Sequence, residues 1–146
     1  MSGAGGTVLG DDAIVLPGSA RTRDEAITEA GRLLVASGAV EPSYVDAMHE
    51  RERSVSTHMG NGLAIPHGTL TAKADIRRTA MTFARYPDGV DWNGNPVEFV
   101  VGIAGAGDDH LELLSRLAGV FTDDDQVQRL RAARSPAEVR GILDGA

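Results

Sequence analysis

Apolar residues recur at helical spacing in two stretches of the chain, one before and one after a central region of different pattern. In the first stretch, Thr22 and Glu25 have the spacing of a helix capping box, and the helical pattern continues to Gly38. A second helix is predicted from Pro42 to about Arg51, because proline is favoured in the first turn of a helix. The later stretch predicts three more helices: one that begins at Asp108 or Asp109 and reaches Phe121, then Asp123–Ala133 and Pro136–Leu143.

The central region and a short segment near the start of the chain predict strands. Short apolar runs bounded by glycine or proline are typical of buried strands. They occur at Ala13–Leu16, Gly62–Ile65, Thr79–Ala84 and Val97–Ala104. Turns are predicted at Pro87–Gly89 and Trp92–Asn95. The order is therefore one strand, two helices, about three strands and three helices, which predicts a sheet covered by helices on one or both faces.

The composition fits one domain that is not inserted in a membrane. The chain has 146 residues, of which 42% are hydrophobic, and this is enough for a sizeable core. Residues 1–10 include four glycines and are expected to form a disordered N-terminal tail, which leaves residues 11–146 as the single domain. No apolar run approaches the roughly 20 residues of a membrane span, and no signal peptide is recognisable, so a cytoplasmic protein is expected. The absence of cysteine excludes disulfides and thiolate chemistry.

The charge balance argues against a nucleic-acid partner. The formal net charge is −7, the arginines occur in scattered pairs, and aromatic residues make up only 4% of the chain. An acidic surface repels the phosphate backbone, and so few aromatic side chains cannot form a base-stacking platform. We therefore expect no nucleic-acid binding.

Four histidines are the candidate nucleophiles and acid–base groups: His49, His58, His67 and His110. Their spacing matches no common zinc-ligand pattern, and the chain has no HExxH motif. It also lacks the GxSxG elbow of serine hydrolases and the GxxxxGK[ST] motif of phosphate-binding loops. Metal, serine and P-loop chemistry are therefore all disfavoured.

Two of the histidines follow predicted strands. His67 lies in a Pro-His-Gly sequence that ends the strand Gly62–Ile65, where flanking glycines leave its ring accessible. His110 lies in the first turn of a predicted helix, where free backbone N–H groups favour an anion. Taken alone, the His67 segment more often indicates a structural histidine in a turn, and the His110 segment a solvated helix residue.

Four segments together carry a family resemblance. They are "EPSYVDAMHERE" (Glu41–Glu52), "STHMGNGLAIPHGT" (Ser56–Thr69), "YPDGVDW" (Tyr86–Trp92) and "VVGIAGAGDDHLELLSRLAGVF" (Val100–Phe121). With them the chain resembles the enzyme IIA (type 2) domains of the phosphoenolpyruvate-dependent sugar phosphotransferase system, mannitol–fructose family. The resemblance implies an α/β fold, with a mixed sheet of four to five strands in a three-layer α/β/α sandwich.

The resemblance also implies roles for individual residues. His67 is the expected nucleophile, which accepts a phosphoryl group through Nε2. His110 and Arg51 are expected to stabilise the phosphoryl oxygens, with Arg53 as a second candidate for the arginine. Asn61 and Gly62 are predicted substrate-binding residues beside the site. His49 and His58 are predicted to be surface residues without a role.

By the same resemblance, the phosphoryl group comes from the phosphocarrier HPr and passes to a cysteine on the IIB domain of a membrane IICB mannitol permease. No metal and no organic cofactor are expected, and a monomer suffices. The surroundings of the histidines are similar to stand-alone mannitol components. A fructose-specific component, or a nitrogen-regulatory module switched by phosphorylation, stays an alternative. A docking rim around His67 is predicted from Met59, Leu63, Ile65, Leu111 and Leu114.

Overall fold

The computed structural model describes residues 8–144 of the chain. Five α-helices are present in this part: α1 (Arg23–Ala36), α2 (Ser43–Ser54), α3 (Asp109–Phe121), α4 (Asp124–Ala132) and α5 (Pro136–Asp144). The strands are β1 (Ile14–Val15), β2 (His58–Gly60), β3 (Leu63–Ala64), β4 (Ala80–Met81), β5 (Phe83–Trp92), β6 (Asn95–Val100) and β7 (Ile103–Ala104). Short 3-10 helices cover Asp11–Ala13 and Leu70–Asp75.

The main sheet is mixed. Its five strands lie in the order β1-β5-β6-β3-β2, and β4 pairs with β7 in a separate two-stranded sheet. The pairs β1–β5 and β3–β6 are parallel, whereas β5–β6 and β2–β3 are antiparallel. The predicted mixed sheet of four to five strands flanked by helices is confirmed.

Successive residues of the central strands pack into two separate cores. Phe83 and Phe99 point to the side that holds α3, α4 and α5, and Phe99 also contacts Phe121 with ring centroids 5.5 Å apart. Ala84 and Val100, the next residue in each strand, point to the side of α1 and α2. Because strand side chains alternate between faces, this pattern places helices on both sides of the sheet and makes a three-layer sandwich.

The helix starts follow the predicted capping chemistry in α1. The Thr22 hydroxyl accepts a hydrogen bond from the Glu25 backbone N–H at 3.1 Å, and the Glu25 carboxylate accepts one from the Arg21 N–H at 2.8 Å. In α3, Asp108 occupies the cap position without a side-chain cap bond. The Asp109 carboxylate instead accepts from the Thr79 hydroxyl at 2.5 Å, which ties the start of α3 to the segment before β4.

The turn predicted at Pro87–Gly89 is wrong. These residues belong to the long strand β5, and the pairing of β5 with β6 shifts register between Arg85 and Val90. Proline has no N–H to donate, and a local break in the ladder accommodates it without ending the strand. The second predicted turn is confirmed, since Asn93 and Gly94 have the positive φ angles (57° and 93°) of a tight hairpin.

Two predicted strands are each divided in the structure. Thr79–Ala84 becomes β4 and the start of β5, and Val97–Ala104 becomes β6 and β7. The break occurs where the Thr82 N–H donates to the Gly102 carbonyl at 2.9 Å and the Gly102 N–H donates to the Thr82 hydroxyl at 3.1 Å. A Cβ at Gly102 would lie 2.8 Å from that hydroxyl oxygen, so only glycine fits this crossing.

The predicted tail ends earlier than expected. Leu9 is fully buried in the core with α3–α5, and the Val8 carbonyl accepts a hydrogen bond from the Met81 N–H at 2.8 Å. The prediction is therefore wrong for residues 8–10, because one leucine among the glycines is enough to anchor the segment. Residues 1–7 lie outside the described part. Among the described helices, none combines the length and apolar character needed to cross a membrane.

Candidate functional site

His67 lies just beyond the end of β3, in a segment fixed by backbone contacts. The residue forms an isolated parallel bridge with Ile103, and the Ile103 N–H donates to the Pro66 carbonyl at 3.0 Å. The ring Nδ1 lies 2.8 Å from the Ile65 carbonyl oxygen. A carbonyl can only accept, so Nδ1 carries the proton. The neutral ring therefore has its lone pair on Nε2, the nitrogen that a nucleophilic histidine needs free.

His110 lies in the first turn of α3, and its ring is tilted by 54° against that of His67, with the centroids 4.8 Å apart. Gly105 makes this approach possible. A Cβ at Gly105 would lie 2.6 Å from both the backbone nitrogen and Cα of His110. The start of α3 thus packs directly onto the chain that leaves β7, and the two imidazoles meet.

Two cationic side chains line the same cleft, which has a volume of about 440 Å³. Arg51, in the last turn of α2, donates from Nη1 to the Val55 carbonyl at 2.7 Å. Lys73 donates from Nζ to the Gly107 carbonyl at 2.6 Å. Lys73 was not among the predicted site residues. The only signal was that it is the chain's sole lysine and lies shortly after the Pro-His-Gly sequence.

Burial and these cations keep both imidazoles neutral. Burial lowers the pKa of His67, and the charge of Arg51 lowers it further, against the opposite effects of the Ile65 carbonyl and Glu52. The pKa of His110 is also lowered, first by burial and then by His67, Lys73 and Arg51. At neutral pH the cleft therefore presents two uncharged imidazoles beside two positively charged side chains.

Asn61 and Gly62 are not brought to this cleft, contrary to the prediction. Asn61 has a positive φ of 53°, and its Nδ2 donates to the Phe121 carbonyl at 2.7 Å. The Gly62 carbonyl accepts from the Glu98 and Phe99 N–H groups at 2.8 and 2.9 Å. Both residues shape the turn between β2 and β3 and hold it against α3 and β6. Asn61 and Gly62 therefore form the turn that the glycine-rich pattern suggests, but they do not line the cleft.

The other predicted residues also depart from expectation. Arg53 is exposed and does not line the cleft, which leaves Arg51 as the arginine of the site. His49 is partly buried rather than on the surface, with Nε2 2.8 Å from the Thr28 hydroxyl. His58 is a partly buried residue of β2.

The predicted docking rim is placed only in part. Leu63 and Ile65 are buried in the core, and with Met59 and Leu114 they line a second, small apolar groove. Large exposed apolar side chains do lie at the His67 cleft, but only Leu111 is among the predicted ones. Val55 and Leu70 line it and are 65% and 84% exposed, and Leu111, beside His110, is 72% exposed.

No metal centre is formed in the part of the chain that the structure describes. Residues 8–144 contain no group of three or more histidine, aspartate or glutamate side chains placed to hold an ion. The side chains at the cleft include two neutral imidazoles, one guanidinium and one ammonium. Such a set suits the transfer of an anionic group to nitrogen.

Comparison with protein-family models assigns the chain to a family. The model described as "Phosphoenolpyruvate-dependent sugar phosphotransferase system, EIIA 2" matches residues 7–145. The chain belongs to this EIIA 2 family. The matched residues include His67, His110 and the ends of β3 and β7, so the family match covers the whole cleft.

Known members of the EIIA 2 family are similar over nearly their full length. The mannitol-specific phosphotransferase enzyme IIA component of Staphylococcus aureus (strain Mu50) is 45% identical over 95% of this chain and 96% of its own. That of Halalkalibacterium halodurans is 46% identical over 94% of each chain. Among solved structures, the complex of mannitol enzyme IIA with phosphorylated enzyme IIB from Escherichia coli contains a chain with a TM-score of 0.86. That chain is 36% identical, and the match covers 94% of this chain and 97% of the other.

Proposed function

We propose that this EIIA 2 protein is a phosphocarrier of a mannitol phosphotransferase system, with His67 as the residue that carries the phosphoryl group. The observation that carries the proposal is the 2.8 Å contact of His67 Nδ1 with the Ile65 carbonyl, which leaves Nε2 as the nucleophile. His110, Arg51 and Lys73 face the same cleft and supply donors and positive charge for phosphoryl oxygens. The mannitol assignment is supported by the names of the relatives.

The transfer is a displacement at phosphorus. In the first step, Nε2 of His67 forms a bond to phosphorus as the N–P bond of the donor phosphohistidine breaks, and the donor nitrogen keeps the electron pair of that bond. The His67 ring takes up positive charge, which its Nδ1–H shares with the Ile65 carbonyl. In the second step, a cysteine thiolate of the acceptor attacks phosphorus, and Nε2 recovers its electron pair. Positioning and electrostatic stabilisation do most of the work in such transfers.

Each of these groups in the cleft has a separate role in the proposed transfer. The planar guanidinium of Arg51 can hold two phosphoryl oxygens at once. The Lys73 ammonium provides a point charge, and neutral His110 can donate one N–H to an oxygen. The first turn of α3 adds backbone N–H groups at the positive end of the helix dipole. No metal ion has a part in this proposal, because these groups balance the phosphoryl charge.

The partners proposed are HPr as the donor and the IIB domain of a membrane mannitol permease as the acceptor. Support comes from the solved E. coli complex of mannitol IIA with phosphorylated IIB. The exposed side chains of Val55, Leu70 and Leu111 offer apolar area next to the cleft for partners that must dissociate after each transfer. The proposal places the protein in the cytoplasm as a monomer.

Reconstituted transfer tests this function. The protein is incubated in excess EDTA with phospho-HPr that was formed beforehand from phosphoenolpyruvate and enzyme I, then with the IIB domain of a mannitol or a fructose permease. We expect one phosphoryl group on the wild-type protein and on His49→Gln, none on His67→Gln, and onward transfer to the mannitol IIB domain. Preferential transfer to the fructose IIB domain would overturn the mannitol assignment. Loss of transfer in EDTA would overturn the metal-free chemistry.

A further inference from the structure

Tyr44 is a buried side chain at the cleft, and its hydroxyl joins two separate segments. The residue lies in the first turn of α2 and is only 2% exposed. Its hydroxyl donates to the Ile103 carbonyl at 3.0 Å and accepts from the Gly68 N–H at 2.9 Å. Burial raises the pKa of this phenol above its ordinary value, so it keeps the proton that it donates.

Both partners of the hydroxyl are tied to His67. Gly68 follows it directly, and Ile103 is its partner in the parallel bridge. The Ile103 N–H in turn donates to the Pro66 carbonyl. Pro66, which precedes His67, is thus bonded directly to Ile103. Gly68, which follows His67, is linked to the same Ile103 through the Tyr44 hydroxyl.

The aromatic ring fixes the same segment by packing. A Cβ at Gly68 would lie 2.6 Å from Cε1 of Tyr44, so the ring lies against the backbone next to His67. Tyr44 also shares a helix with Arg51, which follows about two turns later and therefore lies on the same face. Tyr44 consequently connects the helix that carries the arginine to the segment that carries the nucleophile.

We infer that Tyr44 is a positioning residue for phosphoryl transfer: its hydroxyl holds His67 in place relative to Arg51 and His110. This inference rests on the proposed phosphocarrier function. Tyr44 does not touch the phosphoryl group; it acts through the backbone of Gly68 and Ile103. A nucleophile displaced by about 1 Å costs up to about 100-fold in rate, so a clamp on the adjacent backbone has a measurable effect.

The substitution Tyr44→Phe tests the inference, and the chain provides a matched control. Tyr86 is the only other tyrosine, is 4% exposed, and uses its hydroxyl in a partly buried contact with Glu29. It lies outside the cleft. Each substitution removes one buried phenol hydroxyl and keeps the ring. We expect Tyr44→Phe to lower kcat for phosphoryl acceptance from HPr about 10- to 100-fold with little change in KM, and Tyr86→Phe to leave both near wild type.

A second readout needs no phosphoryl transfer. The imidazole of His67 is titrated by NMR in the unphosphorylated proteins. In Tyr44→Phe the loosened segment admits water, so the His67 pKa should rise toward its ordinary value, whereas Tyr86→Phe should titrate like wild type. If His67 titrates in Tyr44→Phe as in wild type and kcat is unchanged, Tyr44 has no positioning role. If wild type accepts no phosphoryl group while the two titrations differ as expected, the proposed function fails and the positioning of the ring stands.

Discussion

One backbone contact decides the chemistry of His67. The Ile65 carbonyl, 2.8 Å from Nδ1, fixes the tautomer in which Nε2 carries the lone pair. The residues on either side of His67 shape this segment. Pro66 has no N–H to continue the strand ladder, and Gly68 has no Cβ to clash with the Tyr44 ring. Gly105 likewise lets the backbone of His110 approach closely, because a Cβ there would clash with it. The reactivity of the cleft thus follows from small residues as much as from the charged ones.

The lowered histidine pKa values predict how stability depends on pH. The pKa values of His67 and His110 in the folded protein are below that of an unfolded histidine, about 6.5. Between those values the unfolded chain binds more protons, so the free energy of unfolding falls as pH decreases through this range. Well above the unfolded-state value both states are unprotonated, and the two histidines then contribute no pH dependence.

Urea unfolding at about pH 7.5 and about pH 5.5 checks this expectation, with each pH bracketing the ordinary histidine value. The wild-type protein should lose more stability on acidification than the double variant His67→Gln/His110→Gln, which lacks both titrating groups. Equal losses in the two proteins would show that neither histidine is held neutral by the fold.

At the scale of elements, helix α2 organises the cleft. It carries Tyr44 near its start and Arg51 near its end, and next to Arg51 it carries Glu52, a carboxylate that is 5% exposed. Glu52 accepts from the Thr57 N–H at 2.9 Å, the Thr57 hydroxyl at 2.5 Å and the Trp92 indole N–H at 3.0 Å. The Thr57 carbonyl accepts from the Ile65 N–H, so Glu52 links α2 to the strand that precedes His67.

Replacing Glu52 with methionine should destabilise the protein markedly. Methionine fills a similar volume but cannot accept the Thr57 and Trp92 N–H bonds, and each buried donor left unpaired costs about 1–3 kcal/mol. Glu50→Met, an exposed change on the same helix, should stay within about 0.5 kcal/mol of wild type. Urea unfolding measures both. Similar stabilities of the two variants would contradict the linking role of Glu52.

The sequence predicted helices better than strands, for a physical reason. A helix of nine or more residues shows several turns of apolar spacing and often its own cap, as α1 and α4 do with Thr22 and Asp123. Several strands here are two or three residues long, too short for any periodicity. Strand β5 is long but was also missed in part. Pro87 and Gly89 signal a turn, and only the pairing with β6 shows that the chain stays extended through a bulge.

At the scale of the whole molecule, the cleft forms where the ends of β3 and β7 meet the start of α3. Ligand sites in α/β proteins commonly lie at such strand ends. The family resemblance indicated His67, His110 and Arg51, and the structure brings all three to the cleft. Lys73 and Tyr44 could not be found in this way, because their contacts, with Gly107 and with Gly68 and Ile103, are set only by the tertiary fold. The prediction for Asn61 had the opposite problem, because Asn61 is close to His67 in the sequence but does not line the cleft.

The exposed apolar residues at the cleft predict a specific effect on docking. Leu70→Gln removes apolar area at the cleft without adding charge, so KM for phospho-HPr should rise about fivefold, equivalent to about 1 kcal/mol of binding, with kcat nearly unchanged. Met59→Gln is the matched control, because Met59 is also exposed but lines the second groove. Steady-state transfer kinetics separate the two. An equal effect in both variants would contradict a docking surface centred on the cleft.

The most direct test of the central claim is to identify the nitrogen that carries the phosphoryl group. The protein, labelled with ¹⁵N in its histidine rings, is phosphorylated through enzyme I and HPr, and NMR detects the ring nitrogen coupled to phosphorus. We predict a single phosphohistidine at His67, bonded through Nε2, with Nδ1 still protonated toward the Ile65 carbonyl. Phosphorus on Nδ1 of His67, or on His110, would contradict the account.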